Sequence, residues 1–247
     1  DDCWGNFAES TCASNLGVCP LLVKWQEITN AAMKSNLHAG ACMSCFDNNG
    51  DGVKDLILGD ISCDSVEFFG NGGTNSNANM VTATRSFPST HPVKLPYFPC
   101  TYYIDTDNDG ARDLIVAPNS TPSSENFQSN WRYKNNGTDS NPVFAYIENN
   151  FLQDSMIDVG EGAFPVLVDE DGDGLKDIII GNFGYFNNPV YVSRIALLKN
   201  TGTLANPQFT LVTRNWSNLT TYNLQCMAPA FGDIDGDGDQ DMMIGDY

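Results

Sequence analysis

Residues 231–246 read FGDIDGDGDQDMMIGD, and here an acidic loop passes directly into an apolar, strand-like run. Aspartate occupies five of the nine positions from 233 to 241. Carboxylates this close repel one another, at a cost of about 1 kcal/mol per pair at about 4 Å in water. A bound cation would remove that repulsion. The stretch therefore indicates a cation-binding loop that is followed by a β-strand.

The acidic loop recurs along the chain at a nearly constant spacing. The four copies are DNNGDGVKD (47–55), DTDNDGARD (105–113), DEDGDGLKD (169–177) and DIDGDGDQD (233–241). Their first residues are 58, 64 and 64 positions apart. Self-similarity at such a period is typical of proteins that stack copies of one supersecondary unit.

Each loop is followed by the same series of short apolar runs and turns. The runs directly after the loops are LILGD (56–60), LIVAP (114–118), IIIGN (178–182) and MMIGD (242–246). Strand-and-turn segments come next, namely FFGNGGT (68–74), WRYKNNGT (131–138) and ALLKNTGT (196–203). Two further strands are predicted to begin with Asn-Pro, at Asn141 and Asn206, because proline suits the first residue of a strand. The segments GAFPVLVDED (162–171) and APAFGDID (228–235) then lead into the next loop, which completes four strands per unit.

Four antiparallel strands in a unit that repeats every ~40–65 residues predict an all-β fold, a β-propeller with four-stranded blades. We predict an irregular, cysteine-rich N-terminal segment over residues 1–39, which could supply outer strands of a blade. The propeller is predicted over residues 40–247, with blades at 40–98, 99–161 and 162–226 and a partial blade at 227–247. Two β-sandwich domains are the alternative fold. The best helical pattern is a weak one at residues 24–34.

The loops have the composition of a calcium site. Oxygen-bearing side chains stand at positions 1, 3, 5 and 9, glycine at position 6 permits a sharp bend, and position 7 offers a backbone carbonyl. Ca²⁺ takes about six to eight such oxygens, whereas Mg²⁺ prefers fewer protein ligands and keeps its waters. The predicted ligands are Asp47, Asn49, Asp51, Val53 and Asp55; Asp105, Asp107, Asp109, Ala111 and Asp113; Asp169, Asp171, Asp173, Leu175 and Asp177; and Asp233, Asp235, Asp237, Asp239 and Asp241.

The twelfth position of each loop excludes an EF-hand, which needs a ligand there and flanking helices. The twelfth residues are Leu58, Val116, Ile180 and Ile244, and all four belong to the apolar runs. Solvated acidic turns without metal remain as the alternative. Four loops at a near-constant spacing argue against that alternative.

The recurring pattern F-G-D-x-D-G-D-G-x-x-D-x-x-I-G-D resembles the FG-GAP (VCBS) repeat of integrin α-chain propellers and of many secreted bacterial proteins. The segments 103–119, 131–138 and 159–186 are most similar to secreted surface proteins of Bacteroidota that carry type IX sorting domains. The resemblance covers roughly residues 40–247 and implies about four Ca²⁺, each between the first and second strands of a blade. It also implies an extracellular or cell-surface location.

The chain departs from the family pattern at both ends. The fourth blade stops just after its second strand, and the first forty residues match no complete unit. Family propellers often have seven blades. The chain is therefore expected either to be part of a larger ring or to close a smaller ring with its N-terminal segment.

Composition excludes several classes of partner. The formal charge is −19, from 31 acidic and 12 basic residues, so nucleic acid and anionic membranes would be repelled. Hydrophobic residues make up 41% of the chain, which excludes a disordered acidic tail. No apolar run approaches the ~20 residues that a membrane-spanning helix needs. Because the chain starts at Asp1, we expect a processed or partial protein.

The cysteines suggest an oxidising compartment. There are eight, and five of them lie within the first 45 residues, namely Cys3, Cys12, Cys19, Cys42 and Cys45. In an acidic chain that is apparently secreted, this number predicts disulfides, although the spacing selects no pairing. His38 followed by Cys42 and Cys45 leaves a zinc site as an alternative.

Functional motifs are scarce outside the acidic loops. The chain has no G-x-S-x-G or H-E-x-x-H motif and no phosphate-binding glycine loop. We therefore expect a non-catalytic, calcium-stabilised extracellular propeller for adhesion, surface display or binding of a glycan or protein, although an enzyme is not excluded. The alternatives are a propeller domain of a carbohydrate-active enzyme and a structural spacer in a larger surface assembly.

Six aromatic residues could form a sugar-stacking face or pack between blades: Trp131, Tyr133, Tyr185, Phe186, Tyr191 and Trp216.

Two short stretches are candidates for O-glycosylation. By the resemblance to Bacteroidota proteins, Asp-Ser followed by an apolar residue predicts modification of Ser65 in DSV and Ser155 in DSM. Both are expected in accessible loops. N-glycosylation sequons occur at Asn119, Asn136, Asn215 and Asn218, and they matter only in a non-bacterial source.

Overall fold

The computed structural model describes residues 3–8, 12, 15–16, 40–120, 124–187 and 189–247. The described chain is built almost entirely from β-strands and turns, and it divides into two compact units, Asp1–Asp154 and Ser155–Tyr247. The weak helical pattern at residues 24–34 lies outside the described residues.

The first unit begins with a small three-stranded sheet. Its strands, in spatial order, are β1 (Cys3–Trp4), β2 (Phe7–Ala8) and β3 (Asn15–Leu16). The ring of Phe7 stacks on Phe69 at a centroid distance of 4.4 Å, and the N–H of Met80 donates to the carbonyl oxygen of Gly5 at 2.6 Å. The role predicted for residues 1–39 stays a prediction, because most of that segment lies outside the described residues.

Two four-stranded antiparallel sheets form the rest of the first unit, as the repeat predicted. The first sheet contains β4 (Ala41–Phe46), β5 (Asp55–Asp60), β6 (Val66–Asn71) and β7 (Met80–Thr84) in chain order. The second contains β8 (Pro99–Ile104), β9 (Asp113–Pro118), β10 (Trp131–Asn135) and β11 (Phe144–Glu148), also in chain order. All neighbouring strands are antiparallel.

The core of the first unit lies between these two sheets. Phe46 of β4 and Leu114 of β9 belong to one buried cluster, and Phe46 stacks on Tyr103 of β8 at 4.7 Å. A Cβ atom on Gly59 would overlap the carbonyl oxygen of Pro99, because β5 and β8 approach each other closely at this point. The glycine of the LILGD run is therefore required by packing.

The second unit repeats the arrangement once and then begins it again. Its strands are β12 (Phe164–Val168), β13 (Asp177–Gly181), β14 (Tyr185–Asn187), β15 (Val190–Val192), β16 (Ile195–Asn200), β17 (Phe209–Thr213), β18 (Ala228–Gly232) and β19 (Asp241–Gly245). The main sheet has the order β12-β13-β16-β17, while β14 pairs with β15 and β18 pairs with β19. A kinked 3₁₀ segment, Trp216–Tyr222, precedes β18. The core includes Ile179, Ile195 and Met227.

The sequence prediction of where two strands begin was wrong by three residues. Strands β11 and β17 begin at Phe144 and Phe209, not at the Asn-Pro pairs. The N–H groups of Asn141 and Asn206 donate to the carbonyl oxygens of Thr138 and Thr203, at 3.1 and 3.2 Å. These bonds close the preceding turns, so the prolines stand at the exits of the turns and before the strands.

The disulfides join distant parts of the first unit. Cys12 is bonded to Cys63 and Cys42 to Cys100, while Cys45 is free and exposed. Because Cys42 has no thiolate to offer, the zinc alternative at Cys42 and Cys45 is wrong. His38 and Cys19 lie outside the described residues.

Among the described residues, no helix is long and apolar enough to cross a membrane.

Candidate metal loops

Each acidic loop connects the first two strands of a sheet. The loops join β4 to β5, β8 to β9, β12 to β13 and β18 to β19, and the ninth loop residue is also the first residue of the following strand. The sixth residues, Gly52, Gly110, Gly174 and Gly238, all have φ between 81° and 98°. L-residues rarely adopt this conformation, which explains the glycine at this position.

The first aspartate of a loop accepts hydrogen bonds from backbone N–H groups of the same loop. Oδ1 of Asp169 accepts from Gly172 at 2.8 Å, and Oδ2 accepts from Gly174 at 2.9 Å. The loops that begin at Asp47 and Asp233 repeat both bonds. Burial acts to raise the pKa of Asp47, but these N–H donors outweigh it and leave the pKa below its ordinary value. Each of these loops is thus wrapped around its first carboxylate.

The second loop differs at this aspartate in a way that fits a cation. Asn108 takes the place of the glycine at position 4, and Oδ1 of Asp105 is buried without a hydrogen-bond partner in the described part of the chain. A buried carboxylate oxygen without a partner costs free energy. A bound cation would supply the missing partner.

The third and fifth residues form successive side-chain turns. In the third loop, Oδ1 of Asp171 accepts from the N–H of Asp173 at 3.2 Å, and Oδ1 of Asp173 accepts from Leu175 at 2.8 Å. The other loops repeat these bonds. Each of these side chains therefore uses Oδ1 to shape the loop and keeps a second polar atom for other partners.

Three loops bring carboxylate oxygens together. In each loop, three aspartates offer ligand atoms that all lie within 4.8 Å of one another. The groups are Asp105, Asp107 and Asp109; Asp169, Asp171 and Asp177; and Asp233, Asp235 and Asp241. The described residues of the first loop show no such group. Cys12, Asp60 and Cys63 also cluster, but both cysteines are disulfide-bonded.

The ninth aspartate has a structural role that the sequence analysis missed. Asp55, Asp113 and Asp177 are at most 1% exposed. Oδ1 of each accepts the N–H of a turn asparagine at 2.8 Å, from Asn71, Asn135 and Asn200 respectively. Oδ2 of each accepts the N–H of the second loop residue. Burial raises the pKa of Asp55. The carboxylate therefore closes the loop, whether or not it also binds a cation.

The turn asparagine was equally missed, although its recurrence in the N-x-G-T turns was a visible signal. Oδ1 of Asn135 accepts the N–H groups of Gly137 and Val143, both at 2.9 Å, and Nδ2 donates to the carbonyl oxygen of Arg112 at 3.0 Å. Asn71 makes the same set of bonds in the first sheet. This side chain therefore joins the end of the acidic loop to the turn after β6 or β10.

Two lysines contact the predicted ligands. Lys134 Nζ forms ion pairs with Asp107 and, at 2.8 Å, with Asp109. Lys199 Nζ forms ion pairs with Asp171, with Glu170 at 3.2 Å and with Asp177 at 3.4 Å. Hydrogen bonds from these ammonium groups lower the pKa of Asp109 and of Asp171. No feature of the loop sequence identified these partners.

The six aromatic residues are mostly packed. Tyr133, Tyr185 and Phe186 are buried, so they cannot present a face to a sugar. Trp131 lies edge-on to Tyr146 at 5.6 Å, and Trp216 packs near Phe231 at 6.3 Å. The structure thus favours the packing alternative for the buried three.

The two candidate glycosylation sites differ in exposure. Ser65 is 4% exposed, and its hydroxyl accepts a hydrogen bond from Arg85 at 2.6 Å, so the expectation of an accessible loop is wrong there. Ser155 lies in an exposed turn. Modification of Ser65 and Ser155 stays a prediction.

Comparison with known protein families finds one match. Residues 169–244 match the family model described as an FG-GAP-like repeat. The matched stretch runs from the first residue of the third loop into β19. No curated protein and no solved structure matches the chain significantly. The match covers 76 of the 247 residues, so together with the all-β structure it supports FG-GAP-like repeats in this part of the chain.

Proposed function

We propose that this chain is a non-catalytic, calcium-stabilised β-propeller domain that acts outside the cell in adhesion, surface display or the binding of a glycan or protein. The observation that carries the proposal is the repeated gathering of three carboxylates within 4.8 Å in loops of one design. The sheets would be the blades, and the loops would hold about four Ca²⁺.

The donor set suits Ca²⁺. The first, third, fifth and ninth side chains of each loop would hold the ion, together with the backbone carbonyl of the seventh residue. The unpartnered oxygen of Asp105 supports a cation in the second loop. Four Ca²⁺ would supply eight positive charges and change the formal charge from −19 to −11. The ion would supply charge neutralisation and rigidity, and no reaction step is proposed for it.

An extracellular location agrees with the cysteine chemistry. Disulfides persist in oxidising compartments, and the described residues include two. Extracellular calcium sites commonly have dissociation constants of about 10⁻⁴–10⁻³ M, which suits exposed loops such as these. We further propose that the chain comes from a secreted surface protein of Bacteroidota, on the resemblance of its repeat segments. Its partner would be a glycan, a protein or another part of a larger surface protein.

Calcium binding is tested first and the class of ligand second. Atomic emission and calorimetry on the 247-residue chain should detect about four Ca²⁺ per chain. The calcium-loaded chain is then applied to a glycan array and to a panel of polysaccharides. Binding without turnover supports the proposal, and turnover favours a carbohydrate-active enzyme. The absence of both binding and turnover favours a structural spacer. Absence of bound calcium would refute the metal assignment in all three cases.

A further inference from the structure

Two of the loops are each contacted by a lysine from a strand of the same sheet. Lys134 and Lys199 each stand directly before the turn asparagine whose N–H binds the ninth aspartate of the loop. This position brings their ammonium groups to the carboxylates of the second and third loops. Their side chains are 31% and 24% exposed, so both pairs are partly withdrawn from solvent.

The first sheet offers the natural comparison. Asn71 binds the ninth aspartate of the first loop as Asn135 and Asn200 do in theirs, but the residue before it is Gly70. No described lysine or arginine forms an ion pair with Asp47, Asp51 or Asp55. The first loop therefore has the same hydrogen-bonded frame, but in the described part of the chain no cationic side chain, its own Lys54 included, forms an ion pair with these carboxylates.

The lysines contact the residues that would bind calcium. Lys134 holds the third and fifth residues of its loop, while Lys199 holds the third and ninth of its loop and also Glu170. A carboxylate oxygen that accepts an ammonium hydrogen bond has one lone pair fewer for a metal ion, and the ammonium charge would repel a cation bound beside it. An ammonium group in the loop also reduces the net negative charge that attracts a second cation.

We propose that Lys134 and Lys199 are tethered counter-cations that compete with Ca²⁺ for the second and third loops. Calcium then enters these loops by displacing a lysine, which lowers their affinity. When calcium is absent, the ion pairs of the lysine stabilise the conformation of the loop. The inference rests on the proposed function, because it concerns the same metal loops.

The test replaces each lysine with methionine, which keeps the long apolar stem and removes the charge. Calorimetric titration of Lys134→Met, Lys199→Met and the double variant should show one site per replaced lysine with affinity raised roughly three- to thirtyfold. This range is expected from the loss, in each loop, of two partly exposed ion pairs with predicted ligands. Melting in excess EGTA should move to lower temperature, because the carboxylates lose their counter-charge. Melting in saturating calcium should not fall.

Lys176→Met is the matched control. Lys176 is the eighth residue of the third loop, carries the same unit charge and is exposed, and none of its described contacts is an ion pair. A general charge effect would tighten binding in this control as much as in Lys199→Met, and that result would overturn the proposal. Unchanged or weaker affinity in the lysine variants, with calcium still bound by the wild type, would overturn it while leaving the proposed function intact. No calcium in any of the proteins would overturn both.

Discussion

The backbone N–H of Asn200 donates a 2.8 Å hydrogen bond to Oδ1 of Asp177, a carboxylate with 0% exposure. The bond links the turn after β16 to the last residue of the acidic loop before β13. The equivalent bonds in the other two complete sheets have the same length. Loop and turn therefore form one hydrogen-bonded unit, and a substitution in either of them should also destabilise the other.

Asp177→Asn should destabilise the chain with or without calcium. An asparagine has one acceptor oxygen, so a buried N–H of Asn200 or Glu170 would face an NH₂ group, at a cost of about 1–3 kcal/mol. Urea unfolding in EGTA and in millimolar calcium measures the effect. Asp173→Asn is the control, because its oxygen can still accept the N–H of Leu175. That control should lose stability in calcium only, and equal losses for both variants in EGTA would contradict this division of roles.

Asn135→Ala should be among the most damaging changes to the turns. The side chain is 1% exposed and makes hydrogen bonds to Gly137, Val143 and Arg112. Removing it leaves buried backbone groups unpaired, and we expect the free energy of unfolding to fall by about 2–4 kcal/mol. Asn136→Ala, at the exposed neighbour, should stay within about 0.5 kcal/mol. Comparable urea midpoints for the two variants would show that the asparagine bonds contribute little.

Calcium removal should lower the melting temperature. Ions that bind only the folded chain at about 10⁻⁴–10⁻³ M contribute roughly 0.4–1.4 kcal/mol per site at millimolar concentration. About four sites together should shift the melting temperature by at least ~3 °C, given ~2–4 °C per kcal/mol for a chain of this size. Differential scanning calorimetry in calcium and in EGTA is the measurement. Superimposable curves would count against metal in the loops.

The double variant Cys42→Ser/Cys100→Ser should be markedly less stable than the wild type. The bond joins β4 to β8 across 58 residues, and a constraint on the unfolded chain of this length is worth about 2–4 kcal/mol. Cys45→Ser is the matched control on the same strand, because Cys45 is free. Thermal melting should separate the two. A Cys45 variant as unstable as the double variant would point to a different pairing in solution.

Much of the local structure could be predicted from the sequence. The runs LILGD, LIVAP, IIIGN and MMIGD coincide closely with β5, β9, β13 and β19. The glycine at position 6 has the positive φ that the loop pattern required. Alternation of short apolar runs with Asn and Gly turns depends on neighbours in the chain, so it is visible in one sequence.

The partners of individual residues could not be predicted in the same way. The loop pattern predicted only metal binding for the ninth aspartates, whereas Asp113 also accepts a hydrogen bond from Asn135, 22 residues later in the chain. The cysteine spacing left the disulfide pairing open. The sequence around Ser65 predicted an accessible loop, although its hydroxyl accepts a hydrogen bond from Arg85. Each of these depends on which strands become neighbours, and composition does not specify that.

The repeat, the strand-forming runs and the acidic loops follow from the amino-acid sequence alone, because propensity and turn chemistry act over a few residues. The pairing of distant residues depends on the folded chain. In the folded chain, Cys42 forms a disulfide with Cys100 and Lys199 forms an ion pair with Asp171. Gly59 cannot carry a side chain there because it lies against the carbonyl oxygen of Pro99. These relationships arise only when strand register sets residues far apart in the chain against one another, since hydrogen bonds, ion pairs and packing act over distances in space.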